Sequence, residues 1–151
     1  MTLTRDFTAT TFVVEHHKTL LLLHRKLQMW LPPGGHIDPN ELPHDAACRE
    51  VLEETGLVIA LHSRAHAIGH VLALPQPHCI LLEDIGPDHQ HIDFIYFGRV
   101  IGGTLNPSTR ESTGVRWLDW HQLNDPDIAE DICVLGRAAI EFFAHTDSEK
   151  Q

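Results

Sequence analysis

Apolar and polar positions along the chain fall into short blocks with two different periods. Residues 8–15 are rich in β-branched and apolar side chains and predict a strand. Residues 20–24 are an unbroken apolar run ending in His24 and predict a buried strand, with His16, His17, Lys18 and Thr19 as the turn between the two. Leu31-Pro32-Pro33-Gly34-Gly35 is punctuated as a loop. The helical period governs residues 43–55, where Pro43 suits a first turn and Gly56 suits the stop. Residues 57–61 return as a strand. Residues 68–74 and 78–82 are apolar and extended, separated by Pro75 and Pro77, and residues 86–90 form a polar turn. Residues 92–100 alternate as one long strand, with Phe94 and Tyr96 as sheet core, and residues 115–118 are a further strand. Residues 128–143 predict a closing helix followed by a charged tail. Strands and helices mix without strict alternation, so the expected class is α/β, a mixed sheet flanked by helices. No repeat or linker divides the chain, and residues 1–151 read as one domain with its core over about 7–143.

The 43–55 segment carries the first chemical signal. At about 100° per residue, Glu50, Glu53 and Glu54 share one face, while Ala47, Cys48, Val51 and Leu52 form the apolar stripe expected to dock on the sheet. Arg49 lies beside the acidic face, four residues before Glu53 and within ion-pair reach. Like charges at this spacing repel. Such a face is either a solvated surface or a place where a cation sits, and composition alone leaves both open.

Net charge sharpens the question. The 151 residues include 11 basic and 21 acidic side chains, a formal charge of −10. That argues against a general grip on nucleic acid polymers or anionic membranes, both of which need clustered Lys and Arg. No apolar run approaches the roughly 18 residues of a membrane span, and residues 1–6 are polar, unlike a secretory leader. Cys48, Cys79 and Cys133 are far apart, odd in number and without a C-x-x-C pair, which fits reduced thiols in a cytoplasm. The 13 histidines admit metal binding, pH sensitivity or neither.

The context of the helix decides between its two readings. Gly35-x5-Glu41-x7-Arg49-Glu50-Val51-Leu52-Glu53-Glu54-Thr55-Gly56-Leu57 resembles the signature box of the Nudix hydrolases, and every specified position matches. The resemblance implies an α/β/α sandwich and hydrolysis of a diphosphate linkage in a nucleoside diphosphate derivative, with Mg²⁺ as cofactor and Mn²⁺ as substitute. Carboxylate oxygens on a rigid helix suit such hard cations, and the ions in turn neutralise a diphosphate and activate water. By the resemblance, Glu50, Glu53 and Glu54 are metal ligands, joined by the backbone of Gly35. Glu50 and then Glu53 are the candidates for general base, Arg49 aims a glutamate, and Glu41 and Gly56 shape the box. Glu111, six residues before Trp117, stands where many relatives carry one more metal-binding glutamate, although Gly114 replaces the second polar residue they have between. A small-molecule substrate and a homodimer are implied as partners.

Substrate contacts are read from residues outside the box. Arg25 and Lys26 follow the 20–24 strand and are candidates for phosphate, Trp30 for base stacking, a pocket rim or the core, and His36 for phosphate or metal. His89-x-His91-x-Asp93 resembles the start of a zinc motif of metallo-β-lactamase-like hydrolases, with Phe94 where that motif needs its last histidine; pocket lining on the substrate side and an ordinary polar strand face are its other readings. Three rivals therefore stand beside the diphosphate reading. One is a triphosphate pyrophosphatase that cleanses oxidised nucleotides. Another is a catalytically silent binding module, disfavoured by retention of all three box glutamates. The third is a zinc hydrolase built on His89, His91 and Asp93.

Overall fold

A computed structural model describes residues 2–150. In chain order it contains β1 (Thr4–Glu15), β2 (Lys18–His24), β3 (Trp30–Leu31), β4 (Gly34–His36), α1 (Pro43–Thr55), β5 (Leu57–Leu61), β6 (His66–Ile68), β7 (Val71–Ala73), β8 (Cys79–Gly86), β9 (His89–Gly103), β10 (Ser112–Asp119) and α2 (Glu130–Ser148). The central path of the main sheet runs β10-β2-β1-β9-β5, with β3 on β2, β4 on β1 and β8 on β9. Its axis is the parallel pair β1 and β9, in register from Thr4 beside His89 to Val14 beside Arg99. The other pairings in that sheet are antiparallel, so the sheet is mixed.

Alternation along the strands sorts the core into two layers. Phe12 and Val14 of β1, Leu21 of β2, and Ile95 and Phe97 of β9 pack with Ile132, Ala139, Ile140 and Phe143 of α2. Their sequence neighbours Val13 and Leu20 pack with Val51 of α1 and with Leu57 and Ile59. Ala9 and Tyr96 take Ala46 and Ala47 of α1. The helices therefore cover opposite faces, and the predicted sandwich is present. Tyr96 is buried as expected, while Phe94 is only partly so. No helix of the described residues is long and apolar enough to cross a membrane.

Four local expectations change. The 16–19 turn contracts to His16 and His17, both with positive φ (48° and 59°), which is the two-residue hairpin geometry that matches strand twist. Within 31–35, Leu31 closes β3 and Gly34 and Gly35 open β4, because the backbone on either side of the prolines finds strand edges to pair with. The 68–74 run is not one extended piece: positive φ at Gly69 folds it into the β6–β7 hairpin. The 86–90 turn shrinks to Pro87 and Asp88, since Gly86 and His89 are already paired. The helix stripe also shifts. Leu52 is 51% exposed, whereas Ala46, Ala47, Val51 and Thr55 are buried, because the contact line on the sheet is centred between Ala47 and Val51. Thr55 tolerates burial by donating its hydroxyl to the Val51 carbonyl at 2.6 Å.

The end of α1 positions the loop that follows β9. Gly56 caps the helix in the left-handed region (φ 76°) and donates its N–H to Leu52 O at 2.9 Å. The carbonyls of Thr55 and Glu54, which a helix end would leave unpaired, accept from Asn106 N and Ser108 N, each at 2.8 Å. A β-carbon on Gly56 would lie 2.5 Å from Thr104 O in the same loop. Gly56→Ala therefore combines backbone strain with displacement of that loop, and a loss of about 1–3 kcal/mol is expected in urea unfolding. A loss within a few tenths of a kcal/mol of zero would contradict this account of the junction.

Candidate active site

Three glutamates from two elements meet at one end of a cavity of about 540 Å³. Glu50 and Glu54, one helical turn apart on α1, line it together with Glu111 from the loop before β10. Glu54 is hydrogen-bonded to Glu111, and this contact can form only if a proton is shared. Burial first, then the Glu111 contact and the charges of Glu50 and Glu111, push Glu54 up to about 9. Burial also raises Glu50, against the opposing pull of Arg49. The Glu50 carboxylate lies over Gly35 so closely that a β-carbon there would be 2.5 Å from Oε1. Gly34 donates its N–H to Glu54 at 3.3 Å. Buried carboxylates that must borrow a proton to coexist, cradled against a glycine pair, are an all-oxygen donor set suited to a hard divalent cation.

Arg49 organises the near side. Its Nε and Nη2 donate to both oxygens of Glu41 at 2.7 and 2.9 Å, and Nη1 donates to Glu50 at 2.9 Å and Glu53 at 3.2 Å. Nη2 also donates to the His36 carbonyl at 3.0 Å, tying α1 to β4. The Glu41 carboxyl is held below its usual range, chiefly by this arginine. Glu53 lies on the outer part of the face, with its side chain 59% exposed, and is not among the residues lining the cavity.

The candidate substrate residues separate. Arg25, Lys26 and His36 line the cavity, and Trp30 does not. Trp30 packs on the core under the Arg116 guanidinium, whose carbon is 5.2 Å from the ring centre, and against Gly114, where a β-carbon would lie 3.2 Å from the ring. Gly114 thus accommodates the indole. Arg25 spends part of its guanidinium on the Thr109 carbonyl (2.6 and 3.2 Å), and its backbone N–H donates to Glu111 O at 2.7 Å. It therefore holds the loop that presents Glu111.

Of the other lining residues, Glu83, Asp131 and Arg110 went unread in the sequence, while Asp93 was read only within the histidine segment. Glu83, Asp93 and Asp131 form an acidic patch elsewhere in the cavity, among Phe12, Leu81 and Ile95. Burial first, then Asp93 and Asp131, push Glu83 up to about 7. Asp93 is raised by burial and is steadied by the Thr10 hydroxyl, which donates to it at 2.7 Å. The signal was present in the strand alternation: Leu81 pairs with Asp93 and Glu83 with His91, so acids share an inward face with apolar residues. Arg110, beside Glu111, is a further cation on the wall.

The His89-x-His91-x-Asp93 set does not assemble as a zinc triad. Asp93 is engaged by Thr10 and buried, and the acid that joins His89 and His91 is Asp6, on the neighbouring strand β1. A zinc hydrolase on the sequence's three residues is therefore not the arrangement found.

Comparison with known proteins points the same way as the geometry. The family profile described as NUDIX domain matches residues 4–134. A solved hydrolase of the NUDIX family from Clostridium perfringens is 35% identical with a TM-score of 0.82, over 93% of this chain and 99% of that one. A Bacillus subtilis (strain 168) protein named "Putative 8-oxo-dGTP diphosphatase" is 33% identical over 115 residues, 74% of this chain and 66% of that protein. An m7GpppN-mRNA hydrolase from Danio rerio is 29% identical over 102 residues, 60% of this chain and 32% of that protein. The chain thus spans less than two thirds of the length of either curated relative.

The carboxylate cluster makes stability depend on pH with a definite sign. Unfolded, Glu54 titrates near 4.5; folded and free of metal it holds its proton up to about 9. Between those values the unfolded chain binds fewer protons, so metal-free stability falls as pH rises through the window. Urea unfolding in EDTA at several pH values is expected to show this decline, and Glu54→Gln is expected to flatten it. A wild-type profile that rises from pH 5 to 9, or one that Glu54→Gln leaves unchanged, contradicts the shared-proton cluster.

Proposed function

The chain belongs to the NUDIX family, and from that premise we propose that it is a Mg²⁺-dependent pyrophosphohydrolase acting on a diphosphate linkage of a nucleoside diphosphate derivative. The observation that carries the reading is the meeting of Glu50, Glu54 and Glu111 at one end of a substrate-sized cavity, beside the Gly34-Gly35 backbone. Glu50, Glu54 and Glu111 would hold the ion, with Gly35 beside them and Glu53 at the outer edge. A bound divalent cation supplies neutralisation of the diphosphate and acidification of a water molecule.

The rest of the reaction falls to the chain itself. Glu50 accepts the proton of the attacking water at a carboxylate oxygen, with Glu53 the second candidate. Its raised basicity, caused mainly by burial, suits that task, and Arg49 fixes its orientation. Lys26 and Arg110, with the unspent donors of Arg25, give the otherwise acidic wall its positive charge for phosphate oxygens. One phosphate-bearing fragment leaves on each side of the broken P–O bond.

A second reading is favoured by a separate observation. The same cavity holds Glu83, Asp93 and Asp131 among apolar side chains, acceptors suited to the N–H edge of a purine. Together with the name of the Bacillus subtilis relative, this supports a nucleoside triphosphate pyrophosphatase for oxidised purines.

One assay separates these readings. Purified protein is incubated in ¹⁸O-water with Mg²⁺, against nucleotide sugars, ADP-ribose, dinucleoside polyphosphates, and ordinary and oxidised triphosphates. The diphosphate reading predicts two phosphate-bearing fragments from a linked substrate; the second predicts a monophosphate and pyrophosphate from a triphosphate. Glu54→Gln and Glu50→Gln are each expected to lower kcat by a factor of about 10²–10⁴ with folding retained. Turnover that persists in excess EDTA, or near-normal kcat in both variants, overturns the assignment.

A further inference from the structure

Five side chains that the carboxylate chemistry does not use gather at the outer end of the β1–β9 pair. Asp6 stands beside His91 in the parallel register, Thr4 beside His89, and His36 reaches in from β4, where it pairs with Thr8. These side chains therefore project from one face of the sheet. Donor atoms of Asp6, His89 and His91 all lie within 4.8 Å of one another. His89 Nε2 is 3.2 Å from Asp6 Oδ2, His36 Nε2 is 3.1 Å from the same oxygen, and the His89 and His91 rings meet edge to face at 5.2 Å.

Hydrogen-bond accounting leaves this cluster open to a cation. The Thr4 hydroxyl has one proton and two acceptors within reach, the Asp88 carbonyl at 3.2 Å and His89 Nδ1 at 2.8 Å. With the proton on the carbonyl, Nδ1 carries the ring hydrogen and Nε2 turns a lone pair toward Asp6 Oδ2, 3.2 Å away; with the proton on Nδ1, Nε2–H donates to that oxygen. The first arrangement is the one a metal ion would select, and the ion would also use the nitrogen of His91.

We propose that Asp6, His89 and His91 form a binding site for a zinc-class divalent transition metal, distinct from the carboxylate site. Imidazole nitrogens with one carboxylate suit Zn²⁺, Co²⁺ or Ni²⁺ and are poor donors for Mg²⁺. A tetrahedral zinc with bonds near 2.0–2.1 Å separates its ligand atoms by about 3.3 Å, close to the His89–Asp6 spacing already present. The remaining adjustment belongs to half-exposed side chains on strand ends. Thr4 meets His89 Nδ1 at 2.8 Å and His36 meets the carboxylate at 3.1 Å, the kind of outer contacts a metal site requires. His36 and His91 also line the cavity, so an ion held here would border it.

The test uses the whole chain, stripped of metal and then saturated with Mg²⁺ to fill the carboxylate site. Co²⁺ is titrated and followed by its visible absorption, and Zn²⁺ is then added as a competitor in calorimetry. A visible band at one Co²⁺ per chain, displaced by Zn²⁺ and retained in Glu54→Gln, is expected. His91→Gln and Asp6→Asn should abolish the band and weaken Zn²⁺ binding by about 100-fold or more, and Thr4→Val by about tenfold. Circular dichroism and urea midpoints report whether each variant is folded. No band, a band unchanged in His91→Gln and Asp6→Asn, or a band lost only in Glu54→Gln overturns the site. None of these outcomes depends on turnover, so failure here is separable from failure of the pyrophosphohydrolase reading.

Discussion

Arg49 is the contact on which the rest of the carboxylate site depends. Its guanidinium holds Glu41 with two nitrogens, reaches Glu50 and Glu53 with a third contact each, and closes on the His36 carbonyl. One side chain thus ties the loop before α1, two turns of α1 and strand β4 together. Only a planar fork with several fixed donors can do this; a lysine ammonium would satisfy a point and leave the geometry loose. Because Arg49 is spent on aiming groups, it does not neutralise the inner pair, Glu54 and Glu111. The protein therefore keeps a local excess of negative charge that it could have paired.

That excess answers the question posed by a net charge of −10. Two carboxylates about 4 Å apart, at an effective dielectric near 20, repel by about 4 kcal/mol, a large share of a domain's stability of about 5–15 kcal/mol. A cluster of three cannot stand ionised and bare. It takes up a proton, for which the raised basicity of Glu54 suits that residue, or it takes a cation. On the proposed function, the same repulsion that burdens the metal-free fold would drive capture of the ion that a diphosphate needs. The acidic whole-chain charge and an anionic substrate are then compatible, because the field that matters is the local one.

Legibility in the sequence followed the reach of each interaction. Elements with a strong period were read correctly: α1 falls on its expected residues, and β1, β5 and β9 contain theirs. Glu111 was placed only by resemblance, since its approach to Glu54 depends on a loop that pairs with the α1 carbonyls from far along the chain. Trp30 stayed open between stacking, rim and core because a lone aromatic beside a loop looks alike in each; Gly114 and Arg116, which it packs against, are remote in sequence. Leu52 was assigned to the buried stripe from the wheel, but a wheel does not say where the sheet makes its closest approach. The histidine motif was read along one strand, whereas its carboxylate comes from the strand next to it.

That last point extends to the whole cavity. The parallel register of β1 and β9 sets Asp6, Thr8 and Thr10 beside His91, Asp93 and Ile95, so one face of two strands supplies a graded wall. Histidine and acid lie at the outer end, a threonine-steadied acid in the middle, and apolar residues further in. A slip of one residue would turn every one of these groups to the opposite face and present Phe7, Phe94 and Tyr96 to the cavity instead. Register is held by the apolar alternation further along the same strands, where Phe12, Val14, Ile95 and Phe97 must meet α2. The packing of the α2 layer therefore dictates which polar groups the cavity displays. Its chemistry is thus set by hydrophobic packing as much as by the polar groups themselves.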